Sequence, residues 1–98
     1  MATLNQRVIY KYSLGQDFSK TFELPGSYRV LSFQIQNGEF VVWVEIDLKH
    51  TKLYEVNFSV VGTGQGFNLS DKEFYLGTVQ DGEFVWHAYY CELGERVK

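Results

Sequence analysis

Cysteine, proline and methionine each occur once in the 98 residues. With Cys91 alone no intrachain disulfide can form, so a reducing, intracellular compartment is the default expectation. One proline and a charged fraction of 21% argue against a disordered chain. No apolar stretch approaches the ~20 residues of a membrane span. The opening MATLNQR lacks the apolar run of a signal peptide. Membrane is therefore not an expected partner. There is no basic run either, and nine Lys and Arg against twelve Asp and Glu give a net charge of −3. Non-specific nucleic-acid binding depends on phosphate neutralisation, so nucleic acid is not an expected partner. Helical periodicity is missing throughout. Histidine occurs only at His50 and His87, and neither has a Cys or second His at metal spacing, so no metal or cofactor is expected.

What the chain does have is aromatic residues: two Trp, seven Tyr and eight Phe. These favour strands and interfaces. It also has an echo. Ile35-Gln36-Asn37-Gly38-Glu39-Phe40-Val41-Val42-Trp43 returns forty-four residues later as Val79-Gln80-Asp81-Gly82-Glu83-Phe84-Val85-Trp86-His87. Asn-Gly and Asp-Gly between alternating apolar runs predict two-residue β-hairpin turns of type I′, with positive φ at both central residues. Duplication and independent solution of the same turn problem both remain open, though the flanking segments do not match.

The turns predict register. With Asn37-Gly38 as the loop, Gln36 faces Glu39, Ile35 faces Phe40, Phe33 faces Val42 and Leu31 faces Val44, an apolar face that belongs in a core. The opposite face pairs Gln34 with Val41, Ser32 with Trp43 and Val30 with Glu45. With Asp81-Gly82 as the loop, Val79 faces Phe84, Gly77 faces Trp86 and Tyr75 faces Ala88. A glycine opposite Trp86 would let the indole lie flat. The other face pairs Thr78 with Val85, Leu76 with His87 and Phe74 with Tyr89. Both faces are partly apolar, so a sheet, a loop or a second subunit should cover each of them, and a homodimer is expected.

The rest of the chain reads as short strands and turns. Strands are predicted over 8–14, 18–24, 28–36, 39–48, 53–61, 74–80 and 83–93. Pro25-Gly26 is a turn pair, and 49–52 a polar connection. Gly62-Thr63-Gly64-Gln65-Gly66 ends the fifth strand. Ser70, with Glu73 three residues on, predicts at most one capped helical turn. The residues from 93 onward should fray. The expectation is one all-β domain over 1–98, with about seven antiparallel strands, as a small sandwich or partly open barrel built on two long hairpins.

Several of these motifs together resemble a family of short, uncharacterised proteins encoded by phages and prophages. They are Leu24-Pro25, the strand and turn from Val30 through Gly38, Trp43, Gly62-Thr63-Gly64, Gly77 through Gln80, and Val85-Trp86-His87. The resemblance runs from about Ile9 to Tyr89 and leaves out the tail from Cys91. It implies a phage origin and a small β-fold, and it carries no catalytic residues.

Each candidate for chemistry has an ordinary structural alternative. Gly62, Thr63 and Gly64 could form a backbone nest for phosphate, or simply a tight turn; the P-loop spacing and its Lys are absent. Trp43 and Trp86 could stack on a base or pack into the protein. For Trp43 the neighbours Ser32, Gln34 and Glu45 are polar, which suits a ligand edge. For Trp86 packing is the better reading. His87 is either a ligand contact or an inter-strand histidine bonded to a neighbour. No serine sits on a nucleophile elbow, and no carboxylate pair is matched across a cleft, so no catalytic residue and no enzyme is expected. The functional expectation is a phage-encoded protein in the host cytoplasm that binds a nucleotide-like small molecule without turnover. It would sequester a nucleotide-derived immune signal, through Gln34, Trp43, Glu45, Gly62, Thr63, Gly64, Trp86 and His87. The rival expectation is a phage structural or host-protein-interaction module.

Overall fold

Why this chain makes two sheets follows from its alternating strands. Each strand is apolar mainly on one side, and that side must be covered. The computed structural model describes residues 6–49 and 52–96. Seven strands form: β1 (Arg7–Gly15), β2 (Ser19–Pro25), β3 (Arg29–Gln36), β4 (Glu39–Asp47), β5 (Leu53–Gly62), β6 (Glu73–Asp81) and β7 (Phe84–Glu95). No helix occurs among the described residues. A three-stranded sheet has the order β1-β4-β3, a four-stranded sheet the order β2-β5-β7-β6, and all pairs are antiparallel. The architecture is an open sandwich, not a closed barrel.

The core lies between the sheets. Phe40, Val42, Val44 and Ile46 alternate along β4, and Val56, Phe58 and Val60 along β5. With Leu14, Leu24, Phe33 and Ala88 they make one buried cluster. Each fully buried aliphatic or phenyl side chain contributes ~1.5–3 kcal/mol. Tyr12 on β1 meets Phe22 on β2, ring centroids 5.1 Å apart, and so ties the two sheets together along one side.

β7 lies between β5 and β6, antiparallel to both, so β5 and β6 run parallel. Parallel strands cannot be joined by a tight turn. Residues 63–72 must therefore cross β7, and they do so on the outer face of the four-stranded sheet, where Phe67 meets Tyr89 with ring centroids 5.5 Å apart. The second hairpin is thus covered in part by the other sheet on its inner side and in part by this loop on its outer side, with Phe74 and Tyr75 left exposed.

The first hairpin has the predicted register from Gln36↔Glu39 to Ser32↔Trp43. Asn37 (φ 52°) and Gly38 (φ 78°) are both in the left-handed region, as a type I′ turn requires. The register then changes. Leu31 is the extra residue of a β-bulge, so Val30, not Leu31, pairs with Val44, and Arg29, not Val30, pairs with Glu45. Val30 packs against the core and Leu31 is exposed.

The second hairpin corrects the sequence expectation. Its loop is Gly82-Glu83, and Asp81 pairs with Phe84. Only Gly82 has positive φ (60°), which is the signature of type II′. Asp81 keeps ordinary strand geometry, because a turn with glycine first needs no second left-handed residue. The one-residue displacement of the loop moves the pairing by two, so most side chains keep their face and change their partner. Val79, not Gly77, lies opposite Trp86, and Gly77 lies opposite Ala88. A bulge at Leu76 then sends Tyr75 to the outer face opposite Tyr89, and places Phe74 opposite Tyr90.

Only half of the expected Ser70–Glu73 capping box forms. Lys72 N–H donates to Ser70 Oγ at 3.3 Å and Ser70 N–H donates to Glu73 Oε2 at 2.9 Å, yet the chain enters β6 instead of a helix. β7 runs to Glu95, two residues past its expected end, and Arg96 N–H donates to Leu53 O at 2.8 Å. His50 and Thr51 of the polar connection, and the last two residues of the tail, lie outside the described residues.

The turn assignment is directly testable. Gly82→Ala forces an L side chain into the left-handed region and should lower stability by about 1–2 kcal/mol. Asp81→Ala, at ordinary φ, should cost less. Urea unfolding of both variants gives the comparison, and a larger loss at Asp81 would restore the type I′ assignment.

Candidate functional site

The crossing loop and the strand beneath it enclose a groove of about 280 Å³. Its floor is Val61, His87 and Tyr89 on the outer face of the four-stranded sheet. Its wall is the turn Gly62, Thr63, Gly64 and Gln65, followed by Phe67. The sheet positions the floor: Val61 pairs with His87, and Ser59 with Tyr89.

A chain of hydrogen bonds runs through the floor. Thr63 Oγ1 lies 2.7 Å from His87 Nε2 and 3.4 Å from Val85 O. Thr78 Oγ1 lies 2.9 Å from His87 Nδ1, and the Tyr75 hydroxyl is bonded to Thr78 Oγ1. The tautomer sets which ring nitrogen donates, and both nitrogens face a hydroxyl. Threonine hydroxyls, and not a carboxylate, therefore lie at both ring nitrogens of His87.

The glycine turn is only partly free to hold an anion. Gly62 N–H donates to Gln65 Oε1 (3.0 Å), Thr63 N–H to Val85 O (3.1 Å) and Gln65 N–H to Gly62 O (3.1 Å). Three donors of the turn are therefore engaged within the protein. Gly62 has a packing role as well. It pairs with Trp86, and a Cβ built on it would lie 3.3 Å from Trp86 Cζ3. The sequence argument that a glycine makes room for this indole is right in kind, but the glycine is Gly62 on β5, not Gly77.

The structure separates the remaining expected site residues from this groove. Trp43, Gln34 and Glu45 lie on the outer face of the three-stranded sheet, the far side of the sandwich from His87. Their polar character is already spent. Trp43 Nε1 donates to Gln34 Oε1 at 3.0 Å, and Lys11 Nζ lies 6.0 Å from the indole centroid. Glu45 accepts Arg29 at 3.1 Å and Arg7 at 3.5 Å. Val41, paired with Gln34 and Ser13, is only 2% exposed, so this face covers itself. Trp43 and the Gly62-Thr63-Gly64 turn consequently do not form one site. Trp86 turns to the inner side, among Phe18, Phe40 and Phe84. The residues that sequence reasoning missed are Phe67, Tyr89, Thr78 and Tyr75. Phe67 and Leu69, apolar residues inside a loop, were the available signal that this loop packs on something.

A second depression of about 460 Å³ lies at the other end of the sandwich, lined by Arg7, Ser27, Tyr28, Arg29 and Glu45. Its guanidinium groups are occupied by Glu45 and, for Arg7, by Ser27 O at 3.4 Å. Tyr28 donates to Glu92 Oε1 at 3.1 Å. Burial, and then the Glu92 carboxylate, raise the Tyr28 hydroxyl well above its ordinary value of 10.0. Among the described residues no group of three or more His, Cys, Asp or Glu is placed to hold a metal ion.

The family described as a domain of unknown function (DUF7352) matches residues 5–97. The chain belongs to this family. No curated protein and no solved structure matches the chain.

Two measurements check this geometry. Gly62→Ala should push Trp86 aside, change its fluorescence and cost ~1–3 kcal/mol by overpacking; an unchanged spectrum would contradict the contact. Tyr28 titrates higher in the folded than in the unfolded chain, so the stability it supports is whole below pH 10.0 and declines as pH rises through the higher folded value. Tyr28→Phe should flatten the alkaline fall of stability relative to the parent, as read from unfolding curves at increasing pH.

Proposed function

We propose that the protein binds a small nucleoside-like molecule without turning it over, and that the outer-face groove is the site. One observation carries this reading. The groove gathers a hydroxyl–imidazole pair, Thr63 and His87, beside the packed rings of Phe67 and Tyr89. Binding sites combine an apolar lining with a few placed polar groups, and typically start near ~300 Å³. A flat ring would lie against the aromatic pair, with its polar edge or a sugar hydroxyl at Thr63 and His87. The sequence assignment of the ring to Trp43 is replaced, because Trp43 is bonded to Gln34 on the other face. The pairing of both His87 ring nitrogens with threonine hydroxyls, with no carboxylate at either, supports binding over catalysis.

The finer parts of the reading rest on the motif resemblance: a phage origin, the host cytoplasm and sequestration of a nucleotide-derived host signal. The homodimer expected from the second hairpin is kept as part of the proposal, since the 63–72 loop covers only part of its outer face. Exposed Phe74 and Tyr75 on β6 remain in its favour.

Calorimetric titration with an ADP-ribose-like compound and cyclic nucleotides tests the site. Phe67→Ala should weaken binding by about tenfold, in line with ~1–3 kcal/mol for a stacked base, and Trp43→Ala should leave it unchanged. The reverse pattern would return the site to Trp43. A compound consumed by the parent protein would refute binding without turnover.

A further inference from the structure

We propose that the hairpin-bearing end of the sandwich docks a Lys- and Arg-rich segment of a partner protein, on a surface separate from the groove. Three rings line up there. Phe18 and Phe84 flank Trp86 with centroids 5.5 and 5.9 Å from the indole, Phe84 stacked at 20°. Phe40 closes behind at 5.5 Å. Phe18 is 54% exposed and Phe84 63%. Single exposed apolar residues are ordinary, but a contiguous row of rings marks an interaction surface. The backbone under the rings is tied down: Val60 N–H donates to Phe18 O at 2.8 Å, and Phe84 pairs with Asp81 in the ladder. The rings are therefore presented in place, with little ordering left to do on binding.

The rim defines the partner. Asp17 precedes Phe18, Glu83 precedes Phe84, and Asp81 lies directly across from Phe84. All three carboxylate residues are exposed, whereas Glu39, beside Phe40, accepts from Ser13 Oγ on the outer face of the other sheet. The nearest lysines face their own partners: Lys11 donates to Gln36, and Lys20 lies over the Phe22 ring. A ring face attracts a cation, and flanking carboxylates add charge complementarity. Lysine and arginine side chains satisfy both, with their stems on the rings and their heads at the rim. This same molecule is a poor match, because its Arg7, Arg29, Lys52 and Arg96 are paired with Glu45, Glu95 and Glu23, and the exposed Lys49 and Lys72, which have no ion pair among the described residues, are single lysines in separate loops and not a cationic run. The occupant is thus a foreign cationic segment and not a second copy.

The test is an NMR titration of the full chain with oligolysine and oligoarginine at low and high salt, with oligoglutamate as control. Both cationic peptides should shift the amides of Phe18, Phe84 and Trp86, and salt should weaken the effect. Phe84→Ser, at an exposed position, and the pair Asp81→Asn with Glu83→Gln should each weaken binding by about tenfold while the rest of the spectrum is kept. The proposal is overturned if neither cationic peptide binds, if the shifts fall elsewhere, or if Phe84→Ser binds as tightly as the parent. It is equally overturned if the parent self-associates through this end and Phe84→Ser abolishes that, because the occupant would then be a second copy.

Discussion

Much of this molecule depends on β7 lying between β5 and β6. The insertion makes β5 and β6 parallel, and parallel neighbours cannot be joined by a hairpin. The connecting residues therefore travel back over β7 on the outer face. That single constraint builds the groove and brings Thr63 to His87 and Phe67 to Tyr89. Gly62 stands where the crossing begins. It has to be small, because on its inner side Trp86 fills the space a Cβ would take.

The two tryptophans show how the same residue type is put to different uses. Trp43 lies on a sheet face whose polar groups bond to it and to each other, so its indole is a packed surface element. Trp86 lies at an open end of the sandwich, where the core thins out and rings from Phe18 and Phe84 remain in solvent. Burial between sheets is complete in the middle, at Val42, Val44 and Val56, and incomplete at this end. The molecule thus offers two surfaces. One is a groove with hydrogen-bonded Thr63 and His87, the other an aromatic end with an acidic rim. They meet at Gly62, which lines the groove and packs on Trp86.

The echoed hairpins differ more in structure than in sequence. Asn37-Gly38 supplies two left-handed residues and closes a type I′ turn; Asp81-Gly82 supplies one and closes a type II′ turn displaced by a residue. They sit in different sheets, and their bulges, at Leu31 and Leu76, have different consequences. The Leu31 bulge puts a leucine into solvent. The Leu76 bulge sends Tyr75 outward to Thr78, where it ends the hydrogen-bond series at His87.

Local patterning alone determined the elements. Period-two alternation and the turn residues placed all seven strands to within a residue or two at most of their ends, and the Asn37-Gly38 register was legible because φ requirements are local. The coexistence of an apolar face with a glycine near Trp86 was legible too, though not which glycine. Strand order, bulges and the path of residues 63–72 were decided only by the tertiary structure, since they depend on which faces meet across the core and not on neighbours along the chain. For that reason the site residues divided. His87, Gly62, Thr63 and Gly64 come together because β7 pairs with β5. Trp43 shares none of those contacts: it belongs to the other sheet, and two packed sheets turn their outer faces away from each other.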